Sequence, residues 1–134
     1  MQIGITVAVI GNGIDNVYPL ENKSLYEHII KRNGVILTEY ALGVKPLPNN
    51  FPARNRIISA ISDGVLVVEA SKRSGSLITV DFALEQGKNV YAIPGNITSP
   101  NSIGTNDLIK QGAKLVTNAR EILEDYKLQC INYR

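Results

Sequence analysis

The segment 49–56 concentrates side chains that bind anions. It reads Asn-Asn-Phe-Pro-Ala-Arg-Asn-Arg, so Arg54, Asn55 and Arg56 follow a proline that suits the first turn of a helix. The first backbone N–H groups of a helix lack intrahelical partners and carry a partial positive charge, which attracts anions. Two guanidinium groups add charged donors for phosphate. The segment therefore predicts an anion-binding surface at a helix start.

The helical period separates the two arginines. The apolar stripe of the predicted helix consists of Ile57, Ile58 and Ile61. At about 100° per residue, Arg54 falls at the centre of this stripe and Arg56 about 200° away from it. We therefore expect Arg54 to overhang the carboxyl edge of a sheet, where ligands of open parallel sheets bind. Arg56 is expected on the other side of the helix. As alternatives to anion binding, both arginines are solvated surface charges, or Arg56 pairs with a carboxylate such as Glu69.

Phe51 stands at the entry of the same helix and has two interpretations. An aromatic ring at this point can fix the helix entry as a hydrophobic staple. The same ring can also stack on a nucleobase. The sequence leaves both interpretations open.

A second loop, residues 69–79, leads small hydroxyl residues and a glycine directly into another predicted helix. Two hydroxyl groups and several backbone N–H groups lie at this helix start, in Ser74, Gly75 and Ser76. These donors predict an anion-binding site. The loop lacks the Gly-Lys-Ser/Thr ending of an ATP-binding P-loop. Ordinary helix capping by Ser76 is the alternative.

Two further loops follow predicted strands. Residues 11–16 begin like a dinucleotide-binding fingerprint, but Asn16 replaces the third glycine and Pro19 delays the helix. Alternatively, the two glycines allow a tight turn at the end of the strand, and Asp15 caps or holds that turn. The loop that starts at Pro94 and Gly95 either closes over the binding crevice or simply turns the chain.

Catalytic and metal-binding constellations are not recognisable in the sequence. His28 lies within a predicted helix and is expected at the surface, and Cys130 lies near the end of the chain. One His and one Cys do not make the usual zinc shell. Glu69 or Glu85 offers a general base, but neither is paired with a recognisable nucleophile. The sequence predicts a binding protein without cofactor or metal.

Strands and helices that alternate along the chain are expected to position these loops. Short apolar runs, which suit strands buried in a parallel sheet, occur at residues 6–10, 35–38, 65–68, 90–93 and 115–116. Helical spacing occurs at residues 22–32, 52–61, 77–86, 105–110 and 118–126. Gly34, Gly87 and Gly112 each follow a helical run and are expected as helix C-caps. The pattern predicts a doubly wound α/β fold with a mainly parallel sheet in residues 1–126, and a frayed tail in 127–134.

Length and composition agree with one globular domain. The 134 residues are 44% hydrophobic and 19% charged, and the apolar runs are far shorter than the roughly 20 residues of a membrane helix. A soluble cytoplasmic protein without a membrane partner is expected. The net charge is only +2, but five basic residues face two acidic ones between Lys45 and Arg73, an excess of three. An anion is expected to bind there.

Several strings resemble one family closely. They are residues 7–15 (VAVIGNGID), 18–19 (YP), 51–58 (FPARNRII), 65–70 (VLVVEA), 74–79 (SGSLIT) and 94–95 (PG). In these strings the chain resembles the DNA-processing protein A family, also called DprA or Smf. The resemblance implies a Rossmann-like domain that binds single-stranded DNA, forms a homodimer and delivers the RecA recombinase in natural transformation, with neither cofactor nor turnover.

Carried over to this sequence, the resemblance implies a set of DNA-binding residues. They are Phe51, Arg54, Asn55, Arg56, Ser74, Gly75 and Ser76. The resemblance also implies that the chain is the carboxyl-terminal portion of the Rossmann-like domain. Self-association is expected through residues 103–116, with Leu108, Ile109 and Leu115 on the contact surface.

Two other functions compete with DNA binding. The first is a nucleotide-binding enzyme similar to the nucleoside-monophosphate phosphoribohydrolases, whose Pro-Gly-Gly-x-Gly-Thr signature is absent because Asn96 follows Gly95. The second is an inactive dimerising fragment. Binding of a labelled single-stranded oligonucleotide, measured beside nucleotide hydrolysis, separates the three.

Overall fold

The computed structural model describes residues 4–127. The chain divides into two compact units, Met1–Ile58 and Ser59–Arg134. Each unit contains its own set of parallel strands, and each is described by itself below.

The first unit is built on two parallel strands. β1 (Val7–Val9) pairs with β2 (Val35–Leu37), with Val7 opposite Val35 and Val9 opposite Leu37. The connection runs through a 3-10 turn (Leu20–Asn22) and α1 (Lys23–Lys31). α2 (Asn50–Ala60) begins in this unit and ends in the second.

The second unit contains three parallel strands in the order β3-β4-β5. They are β3 (Gly64–Val67), β4 (Asn89–Ala92) and β5 (Lys114–Leu115). The helices of this unit are α3 (Gly75–Glu85), α4 (Ile103–Lys110) and α5 (Ala119–Asp125), with a 3-10 turn (Pro100–Ser102) before α4. Its core consists of Val67, Ala70, Val80, Ala83, Val90, Ala92 and Leu108.

The predicted fold class is confirmed, since parallel strands alternate with helices as in a Rossmann-like α/β fold. The short apolar, β-branched runs form its strands, as is typical of parallel sheets. Leu108 corrects one expectation: it packs in the core of the second unit, so it is no part of an exposed contact surface, whereas Leu115 is exposed.

One of the three predicted C-cap glycines is wrong. Gly87 and Gly112 have positive φ angles of 67° and 107°, as expected, but the left-handed residue after α1 is Asn33, with φ 57°. Gly34 is required for another reason. A Cβ atom there would lie 2.6 Å from Cγ2 of Ile29 and 2.7 Å from the carbonyl oxygen of Thr6. Glycine thus lets the end of α1 approach the start of β1.

No helix in the described part of the chain is both long enough and apolar enough to cross a membrane. Cys130 and all of the predicted tail except Lys127 lie outside the described residues. The boundary between domain and tail stays a prediction.

Candidate nucleic-acid interface

The start of α2 is hydrogen-bonded to the loop that follows β1. Asn50, the first residue of α2, donates a hydrogen bond from Nδ2 to the carbonyl oxygen of Gly11 at 2.8 Å. A Cβ atom at Gly11 would lie 3.2 Å from Cδ1 of Phe51, tighter than most such contacts. The glycine therefore lets the Phe51 ring and the helix start lie against the end of β1.

Arg54 reaches the carboxyl end of β1, as the helical period predicts. Its Nη1 donates to the carbonyl oxygen of Val9, the last residue of β1, and its Nε donates to Oδ1 of Asn55 at 3.1 Å. Burial lowers the pKa of the Arg54 guanidinium from its usual value, and the nearby Tyr26 hydroxyl acts in the opposite direction. Arginine stays charged under such shifts, so a half-buried positive charge lies at the edge of the sheet.

Phe51 supports the guanidinium of Arg54 and touches a second ring. The Cζ atom of Arg54 lies 5.8 Å from the centroid of the Phe51 ring, within the range of a cation–π interaction. The Tyr18 ring lies 5.8 Å from the Phe51 ring, centroid to centroid, with a 37° tilt between the planes. Sequence analysis missed Tyr18 as a site residue, although Tyr18-Pro19 is among the strings that carry the family resemblance.

Arg56 is paired with a carboxylate, as one of its alternatives predicts, but that carboxylate is Glu39. The Nη2 atom of Arg56 donates to Oε2 of Glu39, which lies two residues beyond the end of β2. Sequence analysis had named Glu69 as the example. The Arg56 side chain is 49% exposed, so water screens the ion pair and its contribution to stability is small.

Asn55 completes the group at the start of α2. Its side-chain Oδ1 accepts from Nε of Arg54, and within residues 4–127 its side-chain nitrogen Nδ2 has no acceptor. The structure therefore brings Phe51, Arg54, Asn55 and Arg56 together on the first two turns of α2. Their role in DNA binding stays a prediction.

The glycine-rich loop after β1 is filled by the chain itself. The N–H of Gly13 donates to the carbonyl oxygen of Val44 at 2.9 Å, and a Cβ atom at Gly13 would lie 2.6 Å from the carbonyl oxygen of Ala41. The Asp15 carboxylate accepts from the N–H of Gly43 at 2.9 and 3.0 Å. These contacts confirm the tight strand exit and the turn-holding role of Asp15. These contacts within the chain account for the glycine pattern without a bound dinucleotide.

In the second unit, Ser74 caps α3. Its Oγ accepts from the N–H of Ser76 at 3.4 Å and lies 2.7 Å from the hydroxyl oxygen of Ser76. The alternative that Ser76 caps the helix is wrong, because Ser74 is the last residue with extended backbone before the first turn. Ser76 is instead on the first turn, and both it and Gly75 are exposed.

Gly75 leaves open space in front of the α3 start. A Cβ atom there would meet nothing within 4 Å, and the φ angle of Gly75 is not in the left-handed region. Within residues 4–127 the N–H of Gly75 has no acceptor. Packing among residues 4–127 does not require glycine at this position.

The other candidate residues of the sequence analysis hold a turn or lie at the surface. The Asn106 side chain donates to the carbonyl oxygen of Gly95 at 3.0 Å and accepts from its N–H at 3.1 Å, so the loop at Pro94 is a fixed turn. His28 is exposed. Among the described residues, no three His, Cys, Asp or Glu side chains converge as a metal site would require. The common crevice predicted for the α2 and α3 starts stays a prediction, since the two lie in different units.

A family model described as DNA recombination-mediator protein A matches residues 1–127. The chain belongs to this family, the DprA/Smf family. It is 52% identical over 122 residues to Protein Smf of Escherichia coli K12, covering 91% of this chain and 33% of that protein. It is 48% identical over 124 residues to DNA processing protein DprA of Streptococcus pneumoniae R6, covering 92% of this chain and 44% of that protein.

Two solved structures of DprA share the fold. The X-ray structure of the S. pneumoniae protein superposes with a TM-score of 0.84 at 49% identity, over 91% of this chain and 43% of that one. The Helicobacter pylori protein, whose structure addresses a unique single-stranded DNA binding mode, superposes with a TM-score of 0.81 at 30% identity, over 91% of this chain and 56% of that one. This chain thus spans about one third to just over half the length of these DprA/Smf proteins.

Proposed function

We propose that this DprA/Smf chain binds single-stranded DNA and takes part in DNA processing during transformation and recombination. The observation that carries the proposal is the position of Arg54, whose guanidinium lies at the carboxyl end of β1 and over the Phe51 ring. A charged donor and an aromatic face side by side suit a phosphate and its base. The single-stranded DNA binding mode of the H. pylori relative supports the choice of ligand.

The proposed contacts are mainly to phosphate. Arg54, Asn55 and the α3 start at Ser74, Gly75 and Ser76 supply charged, amide, hydroxyl and backbone donors, but they include no set of side chains arranged to read base edges. Binding is therefore expected to show little sequence preference. We propose binding without turnover, since no nucleophile and base are paired at either helix start.

Fluorescence anisotropy with a labelled single-stranded oligonucleotide tests this proposal. If two or three phosphates are neutralised, the slope of log K against log salt is about −1.4 to −2, at roughly −0.7 per phosphate. Salt-independent binding, or equal affinity for a blunt duplex, contradicts it. A nucleotide-hydrolysis assay on the same sample separates binding from an enzymatic function.

The proposal extends to two protein partners, the RecA recombinase and a second copy of this chain. Family membership supports both, and the exposed side chains of Ile103 and Leu115 offer apolar surface in the second unit. Light scattering at high micromolar concentration is expected to give twice the monomer mass of 14.6 kDa, and a clean monomer contradicts the homodimer. Retention of purified RecA on the immobilised chain tests the other partner. With these partners, we propose that the chain acts in the cytoplasm.

A further inference from the structure

Tyr18 presents half of its surface to solvent beside the proposed DNA-binding residues. Its exposed fraction is 51%, whereas the Phe51 ring is only partly exposed, lying against Gly11, Tyr18 and Arg54. Arg54, Phe51 and Tyr18 thus form a continuous series of guanidinium, ring and ring. Of the two rings, Tyr18 has the larger free surface.

The loop that carries Tyr18 is anchored on both sides of it. The N–H of Asn16 donates to the carbonyl oxygen of Gly13 at 3.0 Å, and its side chain donates to the carbonyl oxygen of Val44 at 3.3 Å. On the other side, the N–H of Asn22 donates to the carbonyl oxygen of Pro19 at 3.0 Å. A loop that is already held in place loses little conformational entropy when a ligand stacks on its ring.

We propose that Tyr18 is a DNA-contacting residue whose exposed ring stacks on a nucleobase, while Phe51 supports the ring from the protein side. The base belongs to the strand whose phosphate Arg54 binds. This inference rests on the proposed function and deepens it by assigning the base-stacking surface to Tyr18. Stacking on an aromatic ring tolerates every base, in keeping with binding that has little sequence preference.

Two labelled strands of equal length and charge test the assignment, an oligothymidylate and an oligomer in which every thymine is replaced by an abasic site. Tyr18→Ala is expected to weaken binding of the oligothymidylate about fivefold to a hundredfold and to leave binding of the abasic strand nearly unchanged. Tyr18→Phe keeps the ring and is expected to bind both strands like the wild type. Leu20→Ala is the matched control, because Leu20 is 72% exposed two residues further on and has no ring.

The outcomes separate this inference from the proposed function. If the wild type binds neither strand, the proposed function is wrong and the inference falls with it. If the wild type binds but Tyr18→Ala binds the oligothymidylate normally, or weakens both strands equally, only the inference is overturned. Circular dichroism melting of each variant distinguishes a lost contact from a lost fold, and the ring-retaining Tyr18→Phe variant repeats the test if Tyr18→Ala does not fold.

Discussion

Arg54 on α2 donates a hydrogen bond to the carbonyl oxygen of Val9, the last residue of β1. The bond occupies one of five guanidinium donors, and Asn55 accepts from another. The charge is therefore held at the carboxyl edge of the strand while donors remain for a phosphate. Arg54 has both a structural and a proposed binding role, and substitutions must be chosen to separate the two.

We expect Arg54→Ala to weaken single-stranded DNA binding about tenfold to a hundredfold, because it removes a charge-assisted contact of roughly 1.5 to 3 kcal/mol. Arg56→Ala is expected to cost less, since Arg56 is exposed and already paired with Glu39. Titrations at one fixed salt concentration compare the two. Equal losses, or a larger loss at Arg56, contradict the assignment of the binding face.

The same substitution is expected to lower the free energy of unfolding by about 1 to 3 kcal/mol, since the carbonyl of the buried residue Val9 loses its donor. Urea unfolding of Arg54→Ala and Arg56→Ala measures this cost. If Arg54→Ala unfolds under the binding conditions, Arg54→Lys replaces it in the experiment. Lysine keeps the charge but lacks the forked geometry of the guanidinium.

Glu39→Gln is expected to raise affinity for single-stranded DNA modestly, by about twofold to fivefold. It removes a negative charge near the proposed site and releases Arg56 from its ion pair. The effect should shrink as salt screens the charges. Glu27→Gln is the matched control, because it makes the same charge change on α1, where Glu27 pairs with Lys31. An equal gain in both variants would show that net charge alone is responsible.

Periodic features were predictable from the sequence, and tertiary partners were not. The periods of strands and helices predict the alternation of these elements and the helix face on which Arg54 lies. The contact between Tyr18 and Phe51 joins a loop residue to a residue of α2 far from it in the chain, and so does the ion pair of Glu39 with Arg56. Such pairs depend on the path of the loops, which neither propensity nor period encodes.

Local errors arose at helix ends, where residues one or two positions apart both suit the same role. Asn33 takes the left-handed position before Gly34, and Ser74 caps the helix in place of Ser76. Helix ends fray and are defined only to within one or two residues, so residue types alone do not decide which residue is the cap. Sequence patterns therefore locate such ends only approximately.

Gly75→Ala is expected to leave the free energy of unfolding unchanged or slightly higher, because the added Cβ meets nothing and alanine favours the helix. It is expected to weaken DNA binding severalfold, because the methyl group occupies the space in front of the α3 start. Ser76→Ala, which changes the next residue of the same turn without adding bulk, is the comparison. Unaltered binding by Gly75→Ala would exclude a backbone approach at this point.

Tyr26→Phe and Tyr126→Phe are expected to change stability in opposite directions. The Tyr26 hydroxyl is buried and has no hydrogen-bond partner within residues 4–127, so its removal is expected to raise the free energy of unfolding by about 1 kcal/mol. The Tyr126 hydroxyl donates to the carbonyl oxygen of Asp63 at 2.8 Å and accepts from Asn89 at 3.2 Å. Its removal is expected to lower that energy by a similar amount, and urea unfolding of the two variants checks both signs.

Asp125 is expected to make the chain sensitive to acid. The Lys114 ammonium, 2.7 Å away, and the Tyr91 hydroxyl, which donates at 3.0 Å, hold the pKa of the Asp125 carboxyl below its ordinary value of 3.8. A carboxyl with a lowered pKa in the folded state stabilises the fold above its unfolded pKa, and this stabilisation is lost as pH falls through the folded pKa.

The melting temperature of the wild type is therefore expected to fall slightly as pH decreases from about 5 through the range below 4. The change is small because Lys114 and Asp125 are exposed and water screens their ion pair. Asp125→Asn removes the titrating group and keeps an oxygen acceptor for Tyr91, so its melting temperature is expected to be lower near neutral pH and to change less with acid. Glu124→Gln is the control on the same helix, since Glu124 is exposed and has no ion pair within the described residues. If Asp125→Asn and the wild type lose stability in parallel below pH 4, other carboxyls are responsible for the acid sensitivity.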